Sequence, residues 1–175
     1  LTLFTFSTEN WKRPKKEISY LFNLLENFLL NNIEKLIKKN IRLKKIGNQE
    51  KFSINLRKTL KNSEKNTSIN NKLQINLALN YGSKEELLYA IKNINKKKDK
   101  INVKNINANL YTRGVPDPDI LIRTGDTKRI SNFLLWQIAY TEIFFEKKLW
   151  PDFNKKDYRK IIKNFKTIKR NFGAI

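Results

Sequence analysis

The sequence predicts an α/β protein built on a mostly parallel sheet with helices on both faces. Two patterns carry that prediction. Stretches of strand character alternate with stretches of helical periodicity along the 175 residues, which is what crossover connections impose on a parallel sheet. The opening run Leu1-Thr2-Leu3-Phe4-Thr5-Phe6 is apolar and β-prone without clean alternation, as a strand buried on both faces is. With 39% hydrophobic and 11% aromatic residues the chain can form a real core despite its charge. The length fits a single domain over residues 1–175.

The elements follow in order. After the first strand, Ser7 to Pro14 reads as a polar turn, and Pro14 suits the first turn of a helix. From Glu17 the residues Ile18, Leu21, Phe22, Leu25, Phe28, Leu29, Ile33, Leu36 and Ile37 line one face of a long amphipathic helix, widened by Leu24 and Leu30. Ile41–Ile46 is a short strand ended by Gly47, and residues 50–65 are helical. Lys72–Leu79 is a strand closed by Asn80-Tyr81-Gly82. Ser83 is placed to cap a helix running through Lys96, with Glu86 at the capping-box position. Residues 95–105 form a lysine-rich connector. Asp119–Ile122 is a strand, Ser131 to Tyr140 is helical, and Ile143-Phe144-Phe145 is a last short strand. Tyr158, Ile161, Ile162, Phe165 and Ile168 put an apolar face on a basic C-terminal helix. Ligands of open parallel sheets bind beyond the carboxyl ends of the strands. That rule gathers Ser7–Pro14, Tyr81–Lys84 and Arg123–Ser131 at one rim.

Composition narrows the chemistry. There is no Cys and no His, so disulfides, thiolate or imidazole metal ligands and His-based triads are excluded. The apolar runs are far too short to span a bilayer, and no secretory signal is visible. The 37 basic and 16 acidic residues give a net charge of +21, which raises a nucleic-acid or anionic-membrane reading. Only eight of the basic residues are Arg, and Asn is abundant. Lys, Asn and Ile share A/T-rich codons, so a biased genome explains much of the charge. Residues that resist the bias are then informative. All three Trp and all four Pro fall in residues 1–14 and 113–153.

Three constellations lie in those windows. In Ser7-Thr8-Glu9-Asn10-Trp11-Lys12-Arg13-Pro14, Ser7 and Asn10 can donate and accept hydrogen bonds. Arg13 offers a planar fork for a phosphate, and Trp11 an apolar plate; a capped turn with a packed Trp is the structural alternative. In Asp119-Ile120-Leu121-Ile122-Arg123-Thr124-Gly125-Asp126-Thr127-Lys128-Arg129-Ile130-Ser131, a strand delivers Arg123 to the rim. Arg129 and Ser131 follow at a helix start, a cradle for a diphosphate. The alternative is ion pairing to Asp117, Asp119 or Asp126. Glu142 stands alone among apolar neighbours, as a Mg²⁺ ligand, an interface ion pair or a strand-edge residue.

Phe6–Pro14, Asn80–Gly82, Pro116–Gly125, Arg129–Tyr140 with Glu142, and Leu149-Trp150-Pro151-Asp152-Phe153 resemble the bacterial cis-prenyltransferase family over essentially the whole chain. The resemblance implies a six-stranded parallel sheet with flanking helices, usually in a homodimer. It implies repeated condensation of isopentenyl diphosphate in cis onto an allylic diphosphate such as farnesyl diphosphate, with Mg²⁺, toward a cell-wall lipid carrier precursor. Ser7 and Asn10 match catalytic positions flanking the condensation centre. Trp11 and Arg13 match the allylic segment, and Arg123, Arg129 and Ser131 match the isopentenyl diphosphate site. Glu142 matches a metal-site carboxylate, and the helix after Pro14 a wall of the product tunnel. It also implies a preceding Met-Asp-Gly-Asn-Gly-Arg-Trp motif that binds the metal. The family's first strand and first helix are thus expected to be absent here, and these residues alone to have little activity. Three further departures stand out. Ser83-Lys84 replaces a usual Gly-Arg, Asp126 replaces a small residue, and Asn171 replaces an Arg in the tail Lys169-Arg170-Asn171-Phe172-Gly173. A cytoplasmic enzyme is expected, with peripheral membrane contact through the basic surface. Aromatic and basic residues are not interleaved for stacking and no nucleic-acid-binding motif appears, so no nucleic-acid partner is expected. The alternatives are a non-catalytic partner subunit of the same fold and a basic nucleic-acid-binding protein.

Overall fold

The computed structural model describes residues 1–171. Two compact units divide the chain, Leu1–Arg113 and Gly114–Ile175.

The first unit is built on three parallel strands in the order β1-β3-β2, with β1 at Thr2–Ser7, β2 at Ile41–Ile46 and β3 at Leu73–Tyr81. A 3-10 turn, Thr8–Lys12, follows β1 and leads into α1, Lys15–Lys38. Pro14 stands just before α1 as its cap residue, where its fixed φ and missing N–H do no harm. α2 (Ile54–Asn66) is capped by Ser53, whose side chain accepts from the Leu56 N–H. α1 and α2 pack on each other and on β2. Their apolar faces bury Ile18, Leu29, Leu56 and Leu60 against Phe6, Leu43, Leu77, Leu79 and Phe52.

β1 joins this core through an irregularity. Strict alternation would turn Leu3 and Phe6 to opposite faces. The β1–β3 register shifts between Phe4 and Phe6, so that Leu3 pairs with Leu77 and Phe6 with Leu79. The extra residue, Thr5, brings Phe6 into the cluster against which Leu3 packs.

α3 spans Ser83–Lys96 and packs on α4, Val103–Asn109. The expected cap at Ser83 is displaced by one residue. Gly82 is the cap and Ser83 the first helical residue. Glu86 therefore lies past the capping-box position. Its buried carboxylate accepts from the Tyr81 hydroxyl and, at 2.8 Å, from the Tyr111 N–H. α4 begins inside the segment expected to be a plain connector, capped by Asn102, which accepts from the Asn105 N–H.

In the second unit β4 (Ile120–Arg123) and β5 (Glu142–Phe145) form a parallel pair. α5, Lys155–Phe165, follows with a capping box between Asn154 and Asp157. The described residues thus hold five strands, three in one sheet and two in the other. The helix expected over Ser131 to Tyr140 is a series of turns. Ser131, Asn132 and Leu134 adopt φ of 56°, 62° and 47°, and left-handed residues interrupt a right-handed helix at once.

Candidate active site

At the carboxyl end of the three-stranded sheet, Ser7 pairs with Tyr81. The sequence expectation that Ser7–Pro14 and Tyr81–Lys84 share a rim therefore holds within the first unit. Arg123–Ser131 belongs to the second.

The turn after β1 is fixed by its own polar groups. The Ser7 N–H donates to Asn10 Oδ1 at 2.9 Å, and the Arg13 N–H to the Asn10 carbonyl at 3.0 Å. With Oδ1 so used, the Asn10 amide nitrogen has no hydrogen-bond partner among the described residues. Trp11 is half-buried against Phe6, Phe22 and Phe52, with ring centroids 5.2, 5.6 and 6.5 Å away. Its indole N–H donates to Asn80 Oδ1 at 2.7 Å. The Asn80 amide donates in turn to the Asn48 carbonyl at 2.9 Å. The apolar plate is thus clamped in orientation by one asparagine.

From the sequence Asn80 and Gly47 read as residues that close strands and Asn48 is passed over, yet all three support the rim around Trp11. Gly47 holds φ at +109°, and a Cβ there would meet the Leu79 carbonyl oxygen at 2.2 Å. Only glycine permits the loop after β2 to press on the end of β3. The visible signal was Gly47 at a strand end; its partner 32 residues away was not readable.

Arg13 is exposed and engaged. Its Nη1 lies 2.8 Å from Glu17 Oε1, one helical turn on, with both side chains about half exposed. Such a pair is weak in water, so an incoming phosphate can displace Glu17.

In the second unit Arg123 ends β4, half-buried, and its Nε donates to Thr127 Oγ1 at 2.8 Å. Thr127 braces one edge of the guanidinium, and among the described residues nothing engages its two terminal nitrogens. Gly125 at φ +89° and Asp126 at +52° turn the loop, and the Gly125 N–H donates to the Lys148 carbonyl at 2.8 Å. Arg129 and Ser131 are both exposed farther along it.

Glu142 is not alone, contrary to the sequence expectation. Arg170 Nε lies 3.9 Å from Glu142 Oε1. The same guanidinium donates to Asp119 Oδ1 at 2.6 Å and to the Tyr140 carbonyl at 2.9 Å, and lies over the Phe165 ring at 5.5 Å. In the β4–β5 register Glu142 pairs with Ile120 and Arg123 with Phe145. Glu142 and Arg123 therefore lie at opposite ends of the strand pair, about 10 Å apart at about 3.3 Å per residue. Among the described residues no three acidic side chains gather as a metal site, and Glu142, the carboxylate expected to hold Mg²⁺, has the Arg170 guanidinium 3.9 Å away. These residues do not form a metal site by themselves. Of the tail motif, Lys169, Arg170 and Asn171 are described; Phe172 and Gly173 lie outside the described residues.

The model of the undecaprenyl diphosphate synthase family of prenyltransferases matches residues 1–173. The isoprenyl transferase of Aquifex aeolicus (strain VF5) is 40% identical over 176 residues, covering 100% of this chain and 76% of its own. That of Bacillus cereus is 41% identical over 182 residues, covering 100% and 70%. Among solved structures, a probable undecaprenyl diphosphate synthase from Campylobacter jejuni superposes with a TM-score of 0.92 at 41% identity, covering 99% of this chain and 83% of that one. Lavandulyl diphosphate synthase from Lavandula x intermedia, in complex with dimethylallyl diphosphate, gives 0.94 at 29% identity, covering 99% and 78%. A match across nearly every residue, in sequence and in fold alike, makes this chain a member of the undecaprenyl diphosphate synthase family of prenyltransferases.

Proposed function

We propose that residues 1–175 form one domain of a prenyltransferase that condenses isopentenyl diphosphate in cis onto an allylic diphosphate of the farnesyl type. The observation that carries this reading is a polar head beside an oily wall. Asn10 and Arg13 flank Trp11, whose ring packs on Phe6 and Phe22. An allylic diphosphate has the matching form, a charged head on an apolar tail.

Each residue has a task in this reading. The allylic C–O bond breaks as diphosphate leaves, so the leaving group needs fixed donors and cations. The Asn10 amide nitrogen and the Arg13 guanidinium supply them, with Ser7 holding Asn10 in place through its N–H. Trp11 packs against the tail near the reacting carbon. Arg123, Arg129 and Ser131 hold the diphosphate of the isopentenyl unit, whose double bond must be aimed at the allylic carbon. Arg123 is the pre-set member, because Thr127 braces its Nε. The α1 residues Tyr20, Leu24 and Phe28 are exposed at four-residue intervals, an apolar stripe along which the product can grow. Each buried methylene contributes about 0.8 kcal/mol.

The Mg²⁺ that the family resemblance implies belongs, in this reading, to the substrate diphosphate. Exposed Phe145, Leu149 and Trp150 support a homodimer, and the net charge of +21 supports peripheral contact with anionic lipid, where a lipid carrier precursor is used. No helix among the described residues is long and apolar enough to cross a membrane.

The test is binding followed by turnover. Calorimetric titration is expected to show separate sites for isopentenyl diphosphate and farnesyl diphosphate. With labelled isopentenyl diphosphate, farnesyl diphosphate and Mg²⁺, extension by the protein itself marks a catalytic chain. Extension seen only on mixing with a complete homologue marks a non-catalytic partner subunit. A folded protein that binds neither diphosphate overturns the reading.

A further inference from the structure

The loop after β2 carries a cation that the reading above does not use. Lys51 Nζ lies 5.4 Å from the centroid of the Trp11 ring. Among the described residues no carboxylate pairs with it. The contrast with Arg13 is direct, because Arg13 shares its charge with Glu17 at 2.8 Å. Of the two, Lys51 is the cation left uncompensated beside Trp11.

The root of this lysine is fixed, although its stem is flexible. On one side the loop is pinned to β3, where the Asn48 N–H donates to the Asn80 carbonyl at 3.3 Å and Asn48 O accepts from the Asn80 amide at 2.9 Å. On the other side Phe52 is buried against Phe22, with ring centroids 5.1 Å apart, and its N–H donates to the Gln49 carbonyl at 3.0 Å. Ser53 then caps α2. A loop anchored at both ends holds Lys51 above the same ring that Asn80 orients.

A lysine above an aromatic face gains a modest attraction when partly solvated. That attraction is weaker than a charge-assisted contact, so a diphosphate bound beside Arg13 draws the ammonium off the ring with or without a tail. An anionic diphosphate beside Arg13 is then the strongest partner within reach of a four-carbon stem.

We propose that Lys51 is a further substrate-binding residue, a cation that moves from the face of Trp11 onto the diphosphate of the allylic substrate. The proposal rests on the allylic role given to Trp11 and Arg13 above. It names a residue on a different loop from the Ser7–Pro14 turn.

The test uses Lys51→Gln and Lys51→Arg in the protein, with binding read by calorimetry and by quenching of tryptophan fluorescence. Three probes are titrated: farnesyl diphosphate, isopentenyl diphosphate and inorganic pyrophosphate. Lys51→Gln is expected to weaken farnesyl diphosphate and pyrophosphate by about tenfold, the loss of one charge-assisted contact. Isopentenyl diphosphate is expected to stay within about twofold, and Lys51→Arg to retain most of the affinity. Unchanged farnesyl diphosphate binding by Lys51→Gln, with both substrates still bound, overturns the proposal and leaves the functional reading standing. A loss confined to farnesyl diphosphate, with pyrophosphate unaffected, also overturns it, because Lys51 would then act on the tail. Failure of the unsubstituted protein to bind either substrate overturns both.

Discussion

The two units prepare for a diphosphate in different ways. In the first, the rim is wired before any ligand arrives: Ser7 to Asn10, Trp11 to Asn80, Asn80 to Asn48, and three phenylalanine rings around the indole. In the second, one guanidinium is braced by Thr127, while Arg129 and Ser131 stand exposed on a loop of left-handed turns. The difference matches the two jobs proposed for these regions. An apolar plate that must meet a reactive carbon gains from being rigid. A grip on a hydrophilic head can be assembled by the head itself, since each new charge-assisted bond replaces one to water.

The largest effect that would sharpen this contrast is on the aromatic wall. Phe52 is buried and packs on both Phe22 and Trp11. Phe52→Ala is expected to lose about 3–5 kcal/mol of stability, read by urea unfolding. A loss below about 1 kcal/mol would mean that the wall is not the rigid region described. Next comes Asn80→Ala. It strips the indole N–H of its acceptor, for about 1–3 kcal/mol, and is expected to raise the mobility of Trp11 seen in fluorescence anisotropy. An unchanged anisotropy would deny the clamp.

Smaller effects follow. Burial first, then the neighbouring Tyr89 and Glu86, raise the Tyr111 phenol to about 12. A phenol raised above its unfolded value of 10.0 favours the protonated folded state. That contribution is whole below about pH 10 and is lost as pH rises through about 12. Alkaline melting curves should therefore fall over that window, and Tyr111→Phe should flatten the fall. The smallest expected effect belongs to Glu17→Gln. The pair with Arg13 is about half exposed, so stability should change by less than about 0.5 kcal/mol. Freed of its partner, Arg13 should bind inorganic pyrophosphate slightly more tightly; weaker binding would show that Glu17 orients Arg13 rather than competing for it.

Much of the first unit was legible in the sequence. Ile41–Ile46 forms β2 with the expected ends, and Pro14 announces α1, because turn chemistry and periodicity agree locally there. What stayed hidden depends on distant partners. Asn80 looks like part of a strand-ending turn until Trp11, 69 residues earlier, donates to it. Glu142 looks like a lone carboxylate until Arg170 closes on it from beyond α5. Ser131 to Tyr140 has apolar spacing that suits a helix, yet three positive φ values near its start forbid one. Apolar periodicity reports which side chains want burial and leaves the backbone between them open.

One paired measurement bears most directly on the division of labour between the units. Trp11→Ala and Arg123→Ala are each titrated with farnesyl diphosphate and with isopentenyl diphosphate. The predicted result is crossed: Trp11→Ala weakens farnesyl diphosphate by about tenfold or more, while Arg123→Ala does the same to isopentenyl diphosphate, each sparing the other ligand. If both substitutions weaken the same ligand, or neither weakens any, the assignment of an allylic tail to the first unit and an isopentenyl head to the second is contradicted.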